Sequence, residues 1–136
     1  MSVDSDRARG WRFAYVLLTG VFILTAALNL LGMRAGFLTN HAADLVVPAW
    51  MYVAGRGLYR AGGSAGRGIL TRMPGPAAGA ALFLASAFTE LCQLWWPGGA
   101  FRGTFDPWDV AAYGIGLAAC VAAEILWTPQ VHPAAG

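Results

Sequence analysis

Lysine is missing from this chain, and charge of either sign is scarce: charged residues make up 12% of its 136 positions, about half the share of an ordinary soluble domain. A soluble basic face for nucleic acid is therefore excluded, and so few charges argue against a soluble enzyme. Disorder is excluded as well, because it needs low hydrophobicity and high charge, whereas 57% of these residues are hydrophobic. Cysteine is nearly absent, with two in all, which rules out a disulfide-stapled secreted domain. The glycine-rich stretch around 62–68 is not followed by Gly-Lys-Ser/Thr, so it is no phosphate cradle. No zincin motif and no Cys-x-x-Cys occurs either.

What is present is long apolar runs. A membrane span needs about 20 mainly apolar residues, and four stretches qualify: 11–31, 37–59, 76–96 and 106–127. Lipid leaves no backbone group unpaired, so these stretches predict helices. Gly and Pro cluster between them, at Gly32 and Gly36, from Gly62 to Gly75, and at Pro97, Gly98 and Gly99, as turns require. The expected fold is all-α: one domain over residues 1–136, a four-helix transmembrane bundle made of two helical hairpins. The first span is too long for a cleaved signal, and three more follow it. The Pro/Ala-rich tail at 129–136 predicts a mobile end.

All nine basic residues are arginine, and they are unevenly placed. Arg7, Arg9 and Arg12 stand at the start of span one, and Arg56, Arg60, Arg67 and Arg72 lie around the loop between spans two and three. Only Arg34 and Arg102 fall on the other side. This bias predicts a multi-pass protein of the cell membrane with both termini in the cytoplasm. His41 and His132 then lie at opposite ends and cannot share a haem or a metal. Cys92 and Cys120 differ in depth by roughly 15 Å at the helical rise, too far for a disulfide. Glu124 is placed near the inner end, reaching the cytoplasmic interface. Trp95, Trp96 and Trp108 at one face, and Trp11 and Trp127 at the other, read as interfacial belts.

With that topology, nearly every strongly polar residue of the spans falls in the outer third. His41 and Asp44 are i, i+3; Glu90 and Gln93 are i, i+3; Asp106, Asp109 and Tyr113 follow a 3–4 step. Each set makes one stripe on its helix. A charge inside a span costs about 2.5–3.5 kcal/mol on insertion scales, so such residues face other helices or a wet cavity. The plainer readings stand beside the functional ones. Asp106-Pro107-Trp108-Asp109 is also a good helix start, with Asp106 as cap and Pro107 at the first position. Gln93 can bond across helices and Tyr113 can be core. The stripe Ala112, Gly116, Cys120 is most simply close helix packing. Four carboxylates at one depth in a poor dielectric do not all stay ionised alone: they hold a proton or face a cation.

Glu90-Leu-Cys-Gln93, then Arg102, then Asp106 and Asp109, then Gly116, resembles the VanZ-like family of small bacterial membrane proteins. The family pattern has Asn where Tyr113 stands, and Asp before His where His41 precedes Asp44 here. The resemblance implies an outward-facing polar site and a cell-envelope role, with membrane lipids as surroundings and an envelope lipid or amphiphile as ligand. On this reading Glu90 is the candidate acid/base, with Asp109 as its catalytic companion. His41, Gln93, Arg102, Tyr113 and Trp108 are candidate substrate contacts, with Arg102 folded over the mouth as an anion clamp on Glu90, Asp106 or Asp109. Asp44, Asp106 and Asp109 are candidate ligands for a divalent metal ion. Two other readings remain open: an accessory subunit whose polar cluster only locks the bundle, and a proton-coupled carrier. The carrier is weakened because no charged residue is placed at the membrane midplane.

Overall fold

The computed structural model describes residues 3–33, 36, 39, 41–58, 68–96, 98 and 104–127. Among them all regular structure is helical. Helix α1 spans Val3–Leu30, α2 spans Ala42–Tyr52 and continues into a π-helical turn at Val53–Leu58, α3 is the single turn Ile69–Arg72, α4 spans Gly75–Trp95 and α5 spans Pro107–Trp127. Three of these are long and apolar enough to cross a membrane: Ser5–Leu30, Gly75–Trp95 and Pro107–Trp127.

The helix ends have local causes. At the end of α1, Gly32 takes φ 67°, and the Met33 amide donates to the Leu28 carbonyl at 2.9 Å, a left-handed glycine cap that satisfies the last carbonyls. Pro76 stands in the first turn of α4, where its missing N–H costs nothing. Asp106 caps α5, its Oδ1 accepting from the Trp108 amide at 2.9 Å.

Two boundaries differ from the sequence expectation. Helix α1 starts well before residue 11, so Arg7, Arg9 and Arg12 ride on its first turns. The second apolar stretch is helical from Ala42 to Leu58, with a change of helix type on the way. Its described helix begins at Ala42, carries Pro48 inside it and ends as the π-helical turn. Pro48 cannot donate to the carbonyl one turn back, and the glycines at 55 and 57 let the last turn widen.

The chain directions follow from contacts. Trp11, early in α1, makes an edge-on contact with Trp127, the last residue of α5, at 5.5 Å between ring centroids. The end of α2 and the start of α4 join them there. We call this the Arg56 end. The start of α2, the end of α4 and the start of α5 form the opposite, His41 end. Trp11, Tyr52, Val53, Ala78, Leu82 and Leu117 make the apolar core. Trp11 is thus not a belt residue: it is 2% exposed, seated against Gly57, where a Cβ would come within 2.5 Å of its ring.

Helices α2 and α5 approach most closely at the predicted small-residue stripe. A Cβ on Gly116 would collide with the Leu45 carbonyl oxygen, and the Cys120 thiol lies 3.8 Å from the Ala49 carbonyl. Trp50 Nε1 donates to Thr19 Oγ1 at 2.9 Å, tying α2 to α1. The rest of α1 is largely unpacked: Phe13, Leu17, Ile23 and Leu24 are all exposed, the surface a lipid-facing helix presents.

Candidate functional site

At the His41 end three helices present polar side chains to one another. Helix α2 supplies Asp44, with His41 just ahead of its first turn. Helix α4 supplies Glu90 and Gln93 from its last two turns, and α5 supplies Asp109 and Tyr113. The i, i+3 and i, i+4 spacings set each pair on one face, and the tight α2–α5 approach at Gly116 brings those faces together.

Two linked groups result. In the first, His41 Nδ1 lies 2.8 Å from Asp109 Oδ1, both side chains being partly buried. Asp106 completes the group: ligand atoms of His41, Asp106 and Asp109 all lie within 4.8 Å of one another.

In the second, the Tyr113 hydroxyl donates to Glu90 Oε1 at 2.8 Å and sits 3.4 Å from Asp44 Oδ1. Gln93 Nε2 donates to the same Glu90 oxygen at 3.1 Å. Glu90 is 4% exposed. Its other oxygen, Oε2, and Gln93 Oε1 are buried without a hydrogen-bond partner. Asp44 connects the two groups, since the charges of both Asp109 and Glu90 act on its carboxylate.

Each residue proposed from sequence can now be placed. Glu90, Gln93, Tyr113 and Asp44 meet in the second group, and His41, Asp106 and Asp109 in the first. The metal set expected from sequence was Asp44, Asp106 and Asp109. In the structure His41 closes on Asp106 and Asp109, and Asp44 lies beside Asp109 and the Tyr113 hydroxyl. Trp108 is 72% exposed and lines a surface cleft with His41, Leu45 and Ile115, of about 390 Å³. Arg102, and with it the clamp over the mouth, lies outside the described residues, as do Arg34, His132 and the tail at 129–136. A second cleft, of about 290 Å³, lies between α2 and α4, with Asp44, Ser86, Thr89 and Tyr113 among apolar neighbours Val47 and Met51.

Tyr113→Phe removes one of the two donors to Glu90. The expected loss is about 1 kcal/mol, the net value of a typical hydrogen bond, read as a small fall in the unfolding midpoint. No loss would mean that Gln93 alone satisfies that oxygen.

A different polar group occupies the Arg56 end, and sequence reasoning missed it. Glu124, expected at the interface, is 5% exposed. Its carboxylate accepts from Arg56 Nε at 2.5 Å, from Arg56 Nη2 at 2.7 Å and from the Tyr52 hydroxyl at 2.6 Å. Arg56 Nη1 donates to the carbonyls of Leu70 at 2.5 Å and Met73 at 2.6 Å. Arg56, expected in the loop, is therefore buried in the π-helical turn, 1% exposed. The available signal was Glu124 itself, a carboxylate in an apolar helix that needs a partner. Every described group of this network is matched, so it reads as a fastening.

No family model matches the chain, no curated protein matches it, and no solved structure matches its fold.

Proposed function

We propose that this is a VanZ-like, multi-pass protein of the cell membrane, with four spans, cytoplasmic termini and the His41 end facing the extracytoplasmic side. There it binds or processes a cell-envelope lipid or amphiphile. One observation carries the reading: polar groups from three helices collect at one end, directly beside two surface clefts with apolar walls. A headgroup has hydrogen-bonding partners there and a chain has Val47, Met51, Leu45 and Ile115 to lie against. The orientation is supported by Arg7, Arg9, Arg12 and Arg72, all at the Arg56 end. Glu90, desolvated and bonded to Tyr113, is the acid/base if the site is catalytic.

A second reading is favoured by the bonds themselves. His41–Asp109 and Tyr113–Glu90 link α2, α4 and α5, so the cluster of an accessory subunit would hold its helices together in this way. Glu90→Gln separates the two. Purified protein in detergent is titrated with long-chain envelope lipids and its thermal unfolding followed. On the ligand-site reading the variant unfolds near the parent's midpoint but loses the lipid-induced gain, which at a hundredfold excess over Kd is about 2.7 kcal/mol for the parent. A lowered midpoint, with the same response to lipid in parent and variant, decides for the fastening.

A further inference from the structure

We propose that the cleft between α2 and α4 takes the primary ammonium headgroup of an aminolipid, with Asp44 and Glu90 as its carboxylate acceptors. The inference rests on the lipid-site reading above and deepens it by naming the headgroup.

The cleft has the layout an amphiphile needs. Asp44 and Tyr113 stand in its lining beside Val47, Met51 and Leu82, around a volume of about 290 Å³. A few polar groups among apolar walls fix the orientation of a ligand. Asp44 lies early in α2, and Met51 two turns further along it. The polar group therefore marks the His41 end of the cleft, and the apolar wall runs from it toward the Arg56 end.

The polar end is short of hydrogen-bond donors. The Tyr113 hydroxyl has one hydrogen, and two carboxylates reach for it: Glu90 Oε1 at 2.8 Å and Asp44 Oδ1 at 3.4 Å. The shorter bond takes the hydrogen, so Tyr113 leaves Asp44 unserved. The Gln93 amide donates to the same Glu90 oxygen. That leaves Glu90 Oε2 and Gln93 Oε1 buried with no partner. Glu90 is 4% exposed, so bulk water does not make up the loss, and a buried acceptor left alone is costly. The His41 imidazole is engaged by Asp109 and serves neither carboxylate.

A ligand that fits must donate several hydrogens and carry positive charge. A primary ammonium has three N–H groups and no acceptor, and its bonds to carboxylates are of the stronger, charge-assisted kind. A trimethylammonium head carries the same charge with no N–H, and proteins hold it in aromatic cages. Among the described residues Tyr113 is the one aromatic side chain in this cleft. An anionic head would bring further acceptors to a place that already has too many. The ammonium meets Asp44 on the cleft wall. Its remaining hydrogens go to Glu90, which shares the Tyr113 hydroxyl with Asp44.

The test competes dioleoyl phosphatidylethanolamine, phosphatidylcholine and phosphatidylglycerol at equal concentration for the full chain in detergent, and reads the retained lipid by native mass spectrometry. The ethanolamine lipid should be retained about tenfold or more over either rival. Asp44→Asn, isosteric and uncharged, should bring the three to parity, with helix content by circular dichroism as in the parent. Asp6→Asn, on the exposed Asp6–Arg9 pair at the other end, should keep the preference. Equal retention of the three by the parent, or a preference for the glycerol lipid, overturns the ammonium site and leaves the broader lipid reading standing. An ethanolamine preference that survives Asp44→Asn overturns it as well. Should that variant not fold, Val47→Trp, an obstruction in the apolar wall, decides: a lost preference supports the cleft, and an intact one puts the lipid elsewhere. If the parent retains no lipid, and none shifts its unfolding midpoint, the lipid reading itself falls and takes this inference with it.

Discussion

Glu124→Ala is expected to cost about 3–5 kcal/mol, the usual loss when one partner of a buried ion pair is removed. Arg56 is 1% exposed, so its guanidinium would keep the Leu70 and Met73 carbonyls but lose the bidentate carboxylate that balances its charge. Arg56→Ala should be comparably severe, leaving a buried carboxylate with only the Tyr52 hydroxyl. Replacing both at once, Arg56→Met with Glu124→Leu, should recover much of the loss, because two charges then need no burial at all. The measurement is unfolding of the detergent-solubilised protein by denaturant or heat, with all four proteins compared. Single variants that unfold within about 1 kcal/mol of the parent, the size of an exposed pair's contribution, would show that water reaches this network.

Gly116→Leu should be the other severe change. The α2 backbone lies where a Cβ would go, and a carbonyl cannot rotate away as a side chain can. The helices must part, at a cost of about 1–3 kcal/mol or somewhat more. Parting them also separates His41 and Asp44 from Asp109 and Tyr113, so the response to lipid should fall together with stability. Gly20→Ala is the control. Gly20 is an exposed position in α1 with nothing within 4 Å of an added Cβ, and alanine there should gain up to about 1 kcal/mol of helix propensity. If both glycines tolerate a side chain equally, close α2–α5 packing is not what assembles the site.

The long helices were legible because hydropathy and length decide them: α4 and α5 fall within one residue of the expected 76–96 and 106–127. The π-helical turn that ends α2 was not, because composition alone does not show where Pro48 and two glycines change the helix type. Within each helix the polar stripes could be read from spacing, and so could the packing role of Gly116. Pairing across helices could not. That His41 meets Asp109, and Tyr113 meets Glu90, depends on how α2 and α4 are rotated and how deep they sit against α5. Arg56 was hidden for a related reason. Four residues after Tyr52, it shares a face with it and both reach Glu124, but only the π-helical turn keeps the chain helical that far.

The Arg56–Glu124 pair spans 68 positions of sequence, and this sets an order of events during synthesis. Arg56 leaves the ribosome with α2, long before its counter-ion exists. Until α5 arrives, α2 ends in a guanidinium with no carboxylate to meet, and on the membrane reading such a segment waits with that end at the water boundary. Glu124, three residues before the end of α5, is among the last groups of that helix to be made. Closing the pair draws the end of α2, α3 and the start of α4 together in one act. Helix α5 therefore closes this fastening: a chain truncated before Glu124 would leave α2 unseated and present quality-control proteases with an exposed basic end.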